Sequence, residues 1–213
     1  MTSKEKKVTY TIANSYSTLN ELTENTKRVW IVFHGIGHLS TYFLRYFNEL
    51  PSEENYIVAP QAQSKYYLNN SYTHVGACWL TKNNTKEGID NVLHYIDTVY
   101  KNEEIPEHCE LIVLGFSQGV SIAARWVAKR KINCKHLVLY AGSLPQELTQ
   151  SDFSHLETNR SKVTYVLGDQ DPYLSAERIS LETIKIENVF QGKANKLYFK
   201  GGHDVKKEII NAL

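Results

Sequence analysis

Leu111-Ile112-Val113-Leu114-Gly115-Phe116-Ser117-Gln118-Gly119-Val120 is the stretch that decides how this chain folds. A short apolar run reads as a buried strand, and the alanine-rich segment that follows favours a helix. Between them two glycines flank a serine in Gly-x-Ser-x-Gly spacing, a turn too tight for ordinary side chains. Strand, sharp turn and helix in that order hold Ser117 at the apex of the turn.

Working outward, similar apolar runs recur. Residues 29–33 form a continuous apolar strand of the kind covered on both faces, and they end in the two-glycine loop His34-Gly35-Ile36-Gly37. Residues 56–59, 136–140, 163–167 and 196–199 read as further strands. Residues 8–13 alternate weakly and read as a first, edge strand. Between the strands lie helical patterns. Ser40 is placed to cap a helix carrying Phe43, Leu44, Phe47 and Leu50, which Pro51 stops. Residues 86–100 put Ile89, Val92, Leu93, Ile96 and Val99 on one face, and residues 120–131, 175–190 and 205–213 complete the helices. Strands alternating with helices imply βαβ units and a mostly parallel sheet covered on both faces. Residues 61–84 are polar and aromatic without a period, an excursion long enough to suggest use around a site.

Bulk properties narrow the function. A chain of 213 residues with 42 % hydrophobic and 22 % charged residues suits a single globular domain over residues 1–213. Its formal net charge of +1 gives no electrostatic reason to expect nucleic acid or an anionic membrane as partner. Cys78, Cys109 and Cys134 are odd in number and widely spaced, which speaks against both a disulfide framework and a zinc site. They read as small packing residues. Residues 1–7 are polar, without the apolar core of a signal peptide, and no run approaches the ~18–20 apolar residues of a membrane span. These features together predict a cytoplasmic protein, monomeric or homodimeric. Asp90, His94 and Asp97 share a helical stripe opposite the apolar one and read as a solvated face rather than a metal site.

In open α/β sheets, ligands gather outside the carboxyl ends of the strands. Three polar groups fall there: Ser117; Asp169 or Asp171 in Gly168-Asp169-Gln170-Asp171-Pro172; and His203 in Lys200-Gly201-Gly202-His203. A serine hydroxyl needs a base to accept its proton as it attacks, and a free imidazole, with a pKa of about 6.5, can serve at neutral pH. A carboxylate then fixes the imidazole's tautomer, a task open to either aspartate. Backbone N–H groups of Gln118 and of the 34–37 loop can receive the oxyanion that develops. No metal or cofactor is called for. His34 has no carboxylate following it in the right order and reads as a buried residue that shapes its loop.

Ser–Asp–His is the chain order of α/β hydrolases. Gly115-Phe116-Ser117-Gln118-Gly119, Gly168-Asp169-Gln170-Asp171-Pro172, Gly201-Gly202-His203 and the turn Ala141-Gly142-Ser143-Leu144-Pro145 together resemble their phospholipase/carboxylesterase branch, which includes the acyl-protein thioesterases. The resemblance runs from about His34 to His203. It implies an α/β-hydrolase fold with a central sheet of about seven strands, and 213 residues leave no obvious room for a large cap domain. It also implies Ser117, Asp171 and His203 as catalytic triad, choosing Asp171 over Asp169, and the backbone N–H groups of Ile36 and Gln118 as oxyanion hole. His38, Trp79, Leu144 and Tyr173 are expected around the substrate. The chain departs from the branch at His38, where an aspartate is usual, and through residues 61–84, both of which bear on substrate choice. The activity implied is hydrolysis of a small ester or thioester with a short or flexible acyl group. The alternatives are a non-catalytic scaffold and a serine hydrolase cutting peptide or lysophospholipid bonds.

Overall fold

The computed structural model describes residues 2–213. Its strands are β1 (Tyr16–Leu19), β2 (Arg28–Phe33), β3 (Asn55–Pro60), β4 (Ser64–Tyr67), β5 (Val75–Cys78), β6 (Glu110–Phe116), β7 (His136–Tyr140), β8 (Lys162–Gly168) and β9 (Asn195–Phe199). The helices are α1 (Ser40–Phe43), α2 (Thr85–Asn102), α3 (Gln118–Arg130), α4 (Ser154–Thr158), α5 (Ala176–Phe190) and α6 (Lys207–Asn211). Seven strands form one sheet in the order β1-β3-β2-β6-β7-β8-β9, parallel throughout except where β1 runs antiparallel to β3. This is the doubly covered, mostly parallel sheet that the alternating pattern predicts, with the seven strands that the α/β-hydrolase resemblance implies.

The two-residue period of each strand divides its side chains between two cores. From β2, Val29, Ile31 and Phe33 pack with α2, α3 and α5 on one face. Trp30 and Val32 point the other way, to meet Phe43, Phe47 and Ile210. The central strands are buried on both sides, which is why they read as unbroken apolar runs.

Three local expectations are corrected. Residues 8–13 form no strand, and Val8, Tyr10 and Ile12 are exposed. The edge strand beside β3 is instead β1, a few residues further along the chain. Ser40 does not cap α1: Leu39 stands at the cap without a side-chain bond, while the Ser40 N–H donates to Gln61 Oε1 and its hydroxyl lies 2.9 Å from that of Ser17. The serine is used to tie α1 to its neighbours, and a tight 3-10 turn over Leu44–Phe47 carries the helix on toward Pro51. Third, the excursion over 61–84 contains a two-stranded hairpin, β4 with β5. Residues 150–158, unassigned from the sequence, supply a 3-10 turn begun by a Thr149–Asp152 capping box and then α4.

All three cysteines are free thiols, with Cys78 and Cys134 buried. Asp97 accepts hydrogen bonds from Trp126 Nε1 and Arg130 Nε, so it braces α2 against α3. Among the described residues, no helix is long and apolar enough to cross a membrane.

Candidate active site

The site assembles at the carboxyl ends of β2, β6, β8 and β9. β6 ends at Phe116, and Ser117 follows with φ 54° and ψ −119°, a conformation that L-residues rarely adopt. The turn closes because its flanking glycines have no side chains. A Cβ on Gly115 would lie 2.4 Å from the Gly119 carbonyl oxygen, and one on Gly119 would lie 2.1 Å from that of Phe33. Backbone therefore fills the places where Cβ atoms would stand, and Ser117 is driven out to the head of α3.

β8 and β9 bring the other two groups to it. The Ser117 hydroxyl and His203 Nε2 are 2.9 Å apart, and His203 Nδ1 lies 2.6 Å from Asp171 Oδ2. A carboxylate only accepts, so Nδ1 carries the proton and Nε2 is left to accept from the serine. The Asp171 side chain is wholly buried, and its second oxygen accepts from the Tyr173 N–H at 2.9 Å. Asp169 is placed differently: its Oδ1 accepts from the Gly201 N–H, bracing the loop that carries His203. A hydroxyl bonded to an imidazole, itself fixed by a buried carboxylate, can be deprotonated as it attacks a carbonyl carbon.

Ile36 lies on the loop after β2 and Gln118 opens α3. Neither N–H finds an acceptor among the described residues. For Gln118 this is the ordinary state of the first amide of a helix, and the helix dipole adds to its attraction for negative charge. His34 beneath them is fully buried. Its Nε2 accepts from the Ala62 N–H at 3.1 Å and its Nδ1 donates to the Gly35 carbonyl at 2.8 Å. Burial pushes its pKa down to about 4, so it stands neutral and holds the loop.

Of the four residues expected around the substrate, two flank the triad. Tyr173 packs edge-on against His203, with ring centroids 4.9 Å apart, and is 64 % exposed. The His38 ring stacks on Phe116, which in turn meets His203. Burial first, then the charges of Arg45 and His203, lower the His38 pKa. Trp79 and Leu144 are buried, at 3 % and 1 % exposure. The Trp79 indole N–H donates to the His34 carbonyl, and the Leu144 backbone N–H donates to the buried Glu182 carboxylate.

The Serine hydrolase (FSH1) family model matches residues 49–208, a span that contains Ser117, Asp171 and His203. The chain belongs to the FSH1 serine hydrolase family. No curated protein sequence matches it. Among solved structures, acyl-protein thioesterase 2 of Zea mays superposes with a TM-score of 0.70 at 17% identity, over 94% of this chain and 96% of that one. A phospholipase/carboxylesterase from Dyadobacter fermentans gives 0.65 at 18% identity, over 96% and 97%. The Bacillus cereus carboxylesterase gives 0.63 at 17% identity, over 93% and 91%. At such identities the likeness is one of fold, and it extends over nearly the whole of each chain.

Proposed function

We propose that this serine hydrolase cleaves carboxylic esters or thioesters through an acyl-enzyme on Ser117. Ser117 Oγ attacks the carbonyl carbon while His203 Nε2 takes its proton, and Asp171 keeps the imidazole in the tautomer that can accept. The carbonyl oxygen, now negative, is received by the N–H groups of Ile36 and Gln118. His203 returns the proton to the departing alkoxide or thiolate. Water repeats the sequence, releasing the acid and restoring Ser117.

The observation that carries this reading is the unbroken chain from Ser117 Oγ through His203 to Asp171, at 2.9 and 2.6 Å. The surroundings of the site favour short or flexible acyl groups. Ile36 and Tyr173, on two sides of it, are 53% and 64% exposed, so an incoming substrate meets little enclosure. Nothing about the triad distinguishes an ester from a thioester, since both present the same carbonyl to the same groups.

The test is a panel of p-nitrophenyl esters, acyl thioesters and amides, run with the parent protein and Ser117→Ala, alongside labelling by a fluorophosphonate probe. The parent is expected to label at Ser117 and to turn over esters or thioesters, and Ser117→Ala to lose on the order of 10⁴–10⁶ in kcat. Undiminished turnover by Ser117→Ala would overturn the assignment.

A further inference from the structure

The two amides that receive the oxyanion come from distant parts of the chain, yet one short segment holds both. Ala77, in β5, accepts the Gly37 N–H at 2.8 Å, and Gly37 is the residue after Ile36. Beyond Cys78, the Trp79 N–H donates to Gln118 Oε1 at 2.9 Å and the Leu80 carbonyl accepts from Gln118 Nε2 at 2.8 Å. The Gln118 carboxamide thus pairs with consecutive residues of backbone as a neighbouring strand would. The same Nε2 lies 3.4 Å from Cys78 Sγ, and the Trp79 indole donates to the His34 carbonyl at 2.8 Å.

At the other end of the segment the fit is backbone against backbone. A Cβ on Gly76 would lie 2.6 Å from the Gly37 carbonyl oxygen and 2.7 Å from Gly37 Cα. The hairpin therefore presses on the loop that carries Ile36 and at the same time grips the side chain of the residue that follows Ser117.

We propose that residues 76–80 form a strut that sets the spacing between the Ile36 and Gln118 amides, with the Gln118 side chain as the positioning residue. The inference rests on the oxyanion-hole reading given above. Gln118 sits directly after a strained serine and at the first turn of a helix, where its own N–H has no backbone partner to fix it. Its long side chain supplies the anchor. Oxyanion donors act only when preorganised at the place where charge develops, and misplacement by about 1 Å can cost on the order of 100-fold in rate.

Gln118→Met keeps the length and volume of the side chain and removes its strong donor and acceptor. It is expected to lower kcat by about 10- to 100-fold with KM within about threefold of the parent. Affinity for a trifluoromethyl ketone, whose adduct with Ser117 carries the oxyanion, should fall in step with kcat/KM, while affinity for the carboxylate product stays level. Gly76→Ala, which leaves Gln118 intact and displaces the Gly37 loop, should give the same split and carries the test if Gln118→Met fails to fold. A folded Gln118→Met with kcat within twofold of the parent overturns the strut. So does equal weakening of the ketone and the product, the signature of general loosening. Fluorophosphonate labelling of the parent separates the two readings: without labelling the hydrolase assignment itself fails, whereas labelling with parental kcat in Gln118→Met removes the strut alone.

Discussion

His203 Nδ1 lies 2.6 Å from Asp171 Oδ2, while Asp169, two positions earlier, turns away and accepts from the Gly201 N–H. Two aspartates in one turn thus divide the work, one fixing the imidazole and one fixing the loop that carries it. Asp171→Asn keeps the shape but presents an amide that can donate to Nδ1 and stabilise the wrong tautomer. It should lose about 10⁴ in kcat. Asp169→Asn retains a carbonyl for the Gly201 N–H and should stay within about 10-fold. Steady-state kinetics on one ester decide the matter, and equal losses would show that the roles are not divided.

Ser117 bears the backbone strain of its turn, at φ 54° and ψ −119°. Non-glycine residues in such regions cost about 1–3 kcal/mol, against which a glycine there gives back up to about 1 kcal/mol in unfolded-chain entropy. Ser117→Gly should therefore abolish turnover and raise Tm by about 2–4 °C, the shift that ~1 kcal/mol produces in a chain of this size. A calorimetric scan showing a lower Tm would mean that the turn is not strained in solution.

Gly119 has a carbonyl oxygen of β2 where its Cβ would stand, and that oxygen belongs to rigid backbone. Gly119→Ala must push α3 away from β2, and this overpacking should cost about 3 kcal/mol or more. A urea melt would register it as a lower midpoint at unchanged slope. Activity should fall as well, because the displaced helix carries the Gln118 amide.

His34 and His136 are buried and held neutral, their pKa values lowered by burial from 6.5 to about 4. The unfolded chain takes up protons at these positions below about pH 6.5, and the folded chain resists until about pH 4. Stability should therefore drop as pH falls through that window and be fully present above it, by up to ~3 kcal/mol for each group. His136→Gln should reduce the slope of unfolding free energy against pH by up to about 1.4 kcal/mol per unit within the window. An unchanged slope would show that His136 protonates freely in the folded protein.

Much of the site was legible before any coordinates, because its elements are local. An apolar run needs only its own residues to read as a strand, and Gly115 and Gly119 around Ser117 mark a sharp turn from their spacing alone. Strand ends then pick out Ser117, His203 and the pair Asp169 and Asp171, since the fold gathers its polar groups at the carboxyl ends of the strands; the choice of Asp171 came from the family resemblance. The contacts of Trp79 are not local. Nothing near this ring in the sequence shows that its indole N–H finds the carbonyl of His34, 45 positions away. The Gln118 side chain escaped notice likewise, its partners Trp79 and Leu80 lying 39 and 38 positions off. The pairing of glutamine with backbone leaves no periodic trace.

Local side-chain pattern specifies the strand-turn-helix around Ser117, the alternation that builds a parallel sheet, and the order of the chemical groups along it. These follow from side-chain periodicity and from the space a glycine leaves, both of which act over a few residues. The folded chain settles that Asp171 meets His203 while Asp169 braces Gly201, that β1 and not residues 8–13 pairs with β3, and that residues 76–80 grip the Gln118 side chain beside Ser117. Each depends on which distant backbone comes within about 3 Å, the range over which hydrogen bonds form.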